Sequence, residues 1–366
     1  MTKQYTYKFR LYPNKEQISF LDEQIGYNRF VYNFFLERSI NLHKNYGIKT
    51  NYYTNAIILP LLKKGFSFLK DANSQSLQAT LKNLDTAFRN FFQHRAKFPN
   101  FKKKINTNSI TIPQHFAINN NFLYIPKLKT PLKIKLHRKV SETVKSITIT
   151  RNPSSKYYIN MLVEKDFALL PKNNNVSGID LGIKDFAVIT TGTNISDKQS
   201  IKIANPKYLI KAQNRLKTLN RQFAKMTKGS KNKSRFRSKL SILHERVANQ
   251  RKDFLHKLSS RTVNDSQVII LEDLNIKGMV KNRHLSKSIS DVSWGIFTGQ
   301  LKYKTDWYGR DIIKVNRFYP SSKTCSTPGC GYIKQDLKLS DREWICPVCG
   351  TTHDRDINAS DNLFLE

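Results

Sequence analysis

The chain has 366 residues, 39% of them hydrophobic, and carries 63 lysines and arginines against 27 aspartates and glutamates, a formal charge of +36. That is enough apolar material for two or three folded domains, and more positive charge than solubility requires, so a polyanion, most naturally a large nucleic acid, is the expected partner. No run approaches the roughly 20 apolar residues of a membrane span, and the N-terminal MTKQYTYKFRLYPNKEQ lacks the apolar core of a secretory signal, so the expected location is the cytosol, or with the chromosome, and not a membrane.

In chain order, residues 5 to 11 alternate strictly. Tyr5, Tyr7, Phe9 and Leu11 fall on one face and Thr6, Lys8 and Arg10 on the other, which predicts a half-buried strand ended by Pro13. Asn14 followed by Gln17 has the form of a capping box, and Ile18, Leu21, Ile25, Phe34 and Phe35 then recur at helical spacing up to Gly47. A second helix is predicted from Ser74 to His94, where Leu77, Leu81, Leu84, Phe88 and Phe91 advance by steps of three and four. Short β-like runs follow at Ser109 to Ile112, Phe122 to Ile125, Leu132 to Leu136, Val144 to Thr150 and Tyr157 to Val163, a small all-β unit of barrel or sandwich type. Because a lone first strand needs partners, the helical block reads as an insertion between that strand and the rest of its unit.

After Pro171-Lys-Asn-Asn-Asn the pattern becomes α/β, with a strand, a glycine turn and a returning strand between Val176 and Gly192. Residues 207 to 262 read as two helices broken at 228 to 234, and carry 17 basic residues against only Glu245 and Asp253. Interspersed salt bridges cannot balance that ratio, so contact with phosphates is expected.

All four cysteines lie close together: Cys325-x4-Cys330, fifteen residues, then Cys346-x2-Cys349. In a reducing compartment this is near the spacing of a four-cysteine zinc ribbon, with Gly331 and Gly350 placed for the tight turns that present the sulfurs. A closed shell of four thiolates around one Zn²⁺ leaves no open position, so the expected role is structural.

Two carboxylates end apolar strands, Asp180 in Gly178-Ile-Asp-Leu-Gly and Glu272 in Gln267-Val-Ile-Ile-Leu-Glu-Asp-Leu. Left alone they would be costly, so each needs a lysine, an arginine or a metal ion beside it. Near the C-terminus, in His353-Asp-Arg-Asp-Ile-Asn-Ala-Ser, Asp356 alone reads as the N-cap of a short last helix. Carboxylates converging from separate elements would suit two Mg²⁺ ions, with Asp356 as the third ligand. The intervals of 92 and 84 residues between Asp180, Glu272 and Asp356 do not by themselves show that they converge.

At this point the sequence resembles the TnpB family, RNA-guided DNA endonucleases of insertion sequences related to type V CRISPR effectors. The resemblance rests on an ordered set: Tyr7-Lys-Phe-Arg-Leu-Tyr-Pro, Phe98-Pro-Asn-Phe-Lys-Lys-Lys, Gly178-Ile-Asp-Leu-Gly-Ile, Leu271-Glu-Asp-Leu, Leu301-Lys-Tyr-Lys with Tyr308-Gly-Arg, Ser322-Lys-Thr-Cys-Ser with its ribbon, and Asp354-Arg-Asp-Ile-Asn-Ala. It implies a multidomain α+β and α/β chain: a wedge-type β-barrel over 1–13 and 98–170, a helical recognition insertion over 14–97, and a RuvC-like nuclease domain of RNase H fold over 176–366, with the four-cysteine zinc ribbon inserted at 321–352. It also implies that Asp180, Glu272 and Asp356 are the catalytic acids holding two Mg²⁺ ions, and that the partners are a guide RNA from the transposon end and a double-stranded DNA target in a prokaryotic cytoplasm.

Two departures from the family pattern stand out. Four residues separate Cys325 from Cys330 where the family usually has two, so this knuckle must bulge, and Ser360 replaces a usual alanine. Asp354 is expected only to orient Arg355 or the knuckle turn. The competing reading, a nuclease-inactive RNA-guided repressor, is disfavoured by the intact acidic triad, and a strand-joining transposase by the lack of a tyrosine nucleophile motif. A monomer is favoured.

Overall fold

A computed structural model describes residues 2–104, 108–338 and 340–366. The chain divides into two compact units, Thr2–Asp166 and Phe167–Glu366. Among the described residues, no helix is long and apolar enough to cross a membrane.

In the first unit, strand β1 (Thr2–Tyr12) is followed by helices α1 (Lys15–Tyr46), α2 (Tyr52–Gly65) and α3 (Ser74–Phe92), and then by β2 (Ser109–Ile112), β3 (Ala117–Asn119), β4 (Phe122–Tyr124), β5 (Leu132–Lys135), β6 (Val144–Arg151) and β7 (Tyr157–Asp166). The strands form one antiparallel sheet in the order β2-β6-β7-β1-β5-β4-β3, so β1 finds its partners in β5 and β7. The alternation in β1 is real: Tyr7, Phe9 and Leu11 are buried, while the Lys8 and Arg10 cations lie over the ring of Tyr158. The expected barrel is met in part: the strands form a single curled, half-barrel sheet whose edges, β2 and β3, do not pair with each other among the described residues. Two features account for this. Strands β3 and β4 are three residues long, too short to carry a closing ladder, and Leu21 and Ile25 of α1 supply the apolar cover that closure would have given.

Helix α1 opens with the capping box read from the sequence, Asn14 and Gln17 each accepting the other's backbone N–H at 2.9 Å. It stops at Gly47, whose φ of 66° is open to glycine at little cost. Its second half packs Val31, Phe35 and Leu36 against Leu77, Leu81 and Leu84 of α3. Helix α2 was not legible, because Pro60 interrupts its pattern from inside.

The second unit is built on β8 (Val176–Leu181), β9 (Asp185–Gly192), β10 (Gln199–Ala204), β11 (Val268–Glu272) and β12 (Asp311–Val315), in the order β10-β9-β8-β11-β12. The first three strands are antiparallel; β8–β11 and β11–β12 are parallel. Between β10 and β11 run α4 (Tyr208–Ala224) and α5 (Lys231–Asp265), and between β11 and β12 the short α6 (Ile276–Met279), α7 (Ser286–Val292) and α8 (Trp294–Tyr308). After β12 come the hairpin strands β13 (Glu343–Ile345) and β14 (Thr352–Asp354), then α9 (Arg355–Leu365). One face of the sheet, with Ile179, Ile269 and Leu271, packs on Leu255, Leu258, Phe297 and Leu301 of α5 and α8, while Ile270 and Val315 pack on Leu363 of α9. Cover on both faces explains why β11 reads as an unbroken apolar run.

Candidate metal centres and their junction

Period two places Gly178 and Asp180 on the same face of β8. A Cβ on Gly178 would fall inside the backbone of α9 at Ser360, Leu363 and Phe364, so only glycine lets the helix lie this close to the strand. One helical turn before Ser360 is Asp356, and one strand repeat beyond Gly178 is Asp180, so this close approach carries the two carboxylates toward each other. In register, Ile270 pairs with Gly178 and Leu271 with Ile179. The next residue on each strand is Glu272 and Asp180.

Three half-buried carboxylates from three elements thus share one end of the sheet. Burial, and then the charges of Glu272 and Asp356, push the Asp180 carboxyl up to about 7, with Arg355 opposing the shift. Glu272 accepts a hydrogen bond from the Ser321 hydroxyl at 2.6 Å, and the Asp356 carboxylate lies 3.6 Å from the exposed Arg342 guanidinium. No lysine or arginine pairs with Asp180 at salt-bridge distance among the described residues. The donor set is therefore hard oxygen, rich in negative charge and short of cations, and it fits Mg²⁺.

The aspartate that caps α9 is Asp354, not Asp356 as the sequence suggested. Its carboxylate accepts from the backbone N–H groups of Asp356 and Ile357 at 3.1 and 3.0 Å, and pairs with Lys202 at 2.5 Å. Burial opposes ionisation there, but Lys202 and the two amides outweigh it and hold the carboxyl below the usual range. Asp356 is consequently left in the first turn with its side chain uncommitted to the cap.

The cysteines form a tighter group. All four sulfurs lie within 4.8 Å of one another, with Cys325–Cys349 and Cys330–Cys346 at 3.6 Å. A tetrahedral Zn²⁺ with Zn–S of about 2.3 Å would separate its sulfurs by about 3.8 Å, so the cage has the right size. Gly331 and Gly350 have φ of 60° and 70°, and the extra residues of the first knuckle are absorbed by a turn in which the Cys330 N–H donates to the Thr327 carbonyl. The Tyr332 backbone favours the Cys330 thiolate, but burial and the neighbouring sulfurs push that thiol up to about 12. The Thr351 hydroxyl and backbone, with the Thr327 hydroxyl, hold Cys349 down to about 5. Thiols this close cannot all ionise without a cation between them, which is the condition a metal ion meets.

Three further residues were missed in the sequence. Asn358 Nδ2 donates to the Thr324 carbonyl at 2.7 Å while its Oδ1 accepts from the Ser326 N–H at 3.0 Å. Asn362, one turn on, donates to the carbonyls of Ser321 and Thr324 at 2.7 Å. His353 is buried beside Trp344, its Nε2 3.0 Å from the Cys325 sulfur. The two asparagines, four apart on α9, could have been read as one helix face; their target, a loop more than thirty residues earlier, could not. Ser360, the departure from the family pattern, is buried with its hydroxyl 2.8 Å from that of Thr190.

Residues 158–283 match the family described as "Probable transposase", residues 294–363 that described as "Cas12f1-like, TNB domain", and residues 1–48 that described as "Helix-turn-helix domain". That last stretch is here a strand and one long helix. A "Putative RNA-guided DNA endonuclease" of Streptomyces pristinaespiralis is 35% identical over 98% of this chain and 88% of its own length. The "Putative RNA-guided DNA endonuclease InsQ" of Escherichia coli K12 is 30% identical over 99% of this chain and 92% of its own. Among solved structures, "Cryo-EM structure of CasPhi-2 (Cas12j) bound to crRNA" aligns with 99% of this chain and 97% of that one at 10% identity, with a TM-score of 0.49. The chain belongs to the TnpB family of transposon-encoded proteins.

Proposed function

We propose that this protein is an RNA-guided DNA endonuclease of a mobile element, which hydrolyses phosphodiester bonds of guide-matched double-stranded DNA at a site made by Asp180, Glu272 and Asp356 with two Mg²⁺ ions. The observation that carries the reading is the register of β11 on β8 and the contact of α9 with Gly178, which bring three carboxylates to one end of the sheet; burial and the other two acids push Asp180 up to about 7, an arrangement that is unfavourable until cations enter it. On this reading the Phe167–Glu366 unit is RuvC-like, of RNase H fold. Its mixed sheet, three antiparallel strands followed by two parallel ones with acids at adjacent strand ends, supports that assignment. The seven-stranded sheet is the wedge domain, with the helices of 14–97 as its recognition insertion. Cys325, Cys330, Cys346 and Cys349 hold one structural Zn²⁺ in a ribbon over 321–352.

The chemistry that two bound Mg²⁺ ions supply at such a site is activation of water for attack on phosphorus and neutralisation of the leaving oxygen. The chain's own residues prepare that site. Asp180 loses its proton to become a ligand, Ser321 fixes the rotamer of Glu272, and Asp354 takes over the helix cap so that Asp356 is free to coordinate. Basic residues along α4 and α5 would hold the guide RNA and target through their phosphates, which requires charge and shape and no base reading by the protein. A monomer acting in the prokaryotic cytoplasm, on the nucleoid, fits this scheme. The test is cleavage of a matching plasmid by protein purified with its co-expressed RNA. Mg²⁺-dependent cutting that follows the guide is expected. A preparation without RNA, or cutting that persists in a chelator, would contradict the proposal.

A further inference from the structure

We propose that Phe318 is a stacking platform for an unpaired nucleobase of the DNA strand presented to Asp180, Glu272 and Asp356; this rests on the nuclease reading above and adds a substrate contact to it. Phe318 is 88% exposed, the largest fraction among the exposed large hydrophobic residues. Its exposure does not come from a loose loop. The Phe318 N–H donates to Asn316 Oδ1 at 2.9 Å, and the next N–H, of Tyr319, donates to the Asn316 carbonyl at 3.0 Å. On one side Arg317 is fixed to Asp273, by its side chain at 2.8 Å and to its carbonyl at 3.2 Å. On the other, Tyr319 turns inward against the cluster of Ile270, Val315 and Leu363, and Ser321 holds Glu272. The same loop that grips Glu272 and Asp273 therefore presents a phenyl ring to solvent from a hydrogen-bonded turn.

Ser321 is three positions beyond Phe318, so the ring's backbone is at most about 11 Å from the residue that holds Glu272. That is the length of about three stacked nucleotides. A phenyl face offers nothing to a phosphate, but it suits the face of any base, without reading sequence, as a guided nuclease requires. It also selects for an unpaired strand, because bases within a duplex are already stacked on each other. A protein partner fits less well: Asn316, Arg317, Ser321 and Ser322 surround the ring in the chain with polar groups, and one aromatic does not make an apolar patch.

The experiment uses the full protein with its co-purified RNA, and compares Phe318→Ala and Phe318→Trp with the unaltered protein on guide-matched DNA in which a single abasic site is moved along each strand. Phe318→Ala should raise KM for target about tenfold, with a smaller change in kcat, and Phe318→Trp should restore it. In the unaltered protein one abasic position should reproduce the defect, and Phe318→Ala should be insensitive to that position. If the unaltered protein cleaves but Phe318→Ala matches it, or the two defects simply add at every position, the stacking role is overturned while the nuclease reading stands. If the unaltered protein cleaves nothing, the nuclease reading fails and this inference with it.

Discussion

The four thiols and the three carboxylates of the Phe167–Glu366 unit are assembled in opposite ways. The thiols come from two knuckles within 25 residues, and turn glycines bring all their sulfurs within 4.8 Å, a cage of fixed size. The carboxylates come from two parallel strands and a helix spread over 177 residues, and the close approach of α9 to β8 that Gly178 permits carries them toward one end of the sheet. The first is a local device that a short sequence window can specify, and the second is a product of the whole sheet. They are joined where Ser321, Asn358 and Asn362 tie the loop leading into Cys325 to Glu272 and α9. Through this loop, geometry at the acids is expected to depend on order at the thiols.

That dependence can be broken at several strengths. The largest effect is expected from Gly178→Ala, which forces α9 off β8; it should destabilise the protein by at least about 2 kcal/mol in urea titrations and abolish cleavage, since both the packing and the convergence are lost. Cys346→Ser should come next, with elemental analysis reporting loss of the zinc proposed for the four sulfurs and a fall in melting temperature, together with reduced cleavage transmitted through the Ser321 loop. An activity that survives zinc loss unchanged would break the link between the clusters.

A smaller effect concerns pH. The folded Asp180 pKa of about 7 lies above its ordinary 3.8, so between these values the folded protein holds a proton that the unfolded chain releases. Without Mg²⁺, this group's contribution to stability is therefore present below about 4 and lost as pH rises toward 7. Mg²⁺ must displace that proton, so the Mg²⁺ concentration needed for half-maximal cleavage should fall as pH rises from 6 to 8, and Asp180→Asn should melt higher than the unaltered protein in a chelator. A metal requirement independent of pH would count against a protonated Asp180.

Much of this was legible in the sequence wherever the signal was local. The alternation of Tyr5 to Leu11, the capping box at Asn14 and Gln17, and the strands from Ser109 onward appear in the structure close to where they were read. The cysteine spacing announced its cage. Strand-end positions marked Asp180 and Glu272 as unusual, but their meeting with Asp356 came from the family motif, because nothing in intervals of 92 and 84 residues encodes it. The helix cap was misread because Asp354 and Asp356 are equivalent by residue type, and only the backbone geometry, with Lys202 alongside, decides between them. The barrel was legible only as far as a half-barrel, because propensity cannot tell that α1 will cover a sheet in place of further strands.

The choice between those two aspartates gives the most direct test. Cleavage of a guide-matched plasmid in Mg²⁺ should be measured for Asp356→Asn and Asp354→Asn, each with RNA bound. Asp356→Asn should retain RNA and target binding but cut nothing, while Asp354→Asn, still able to cap the helix, should keep most of its activity. Cutting by Asp356→Asn at the unaltered rate would rule out Asp356 as a catalytic ligand.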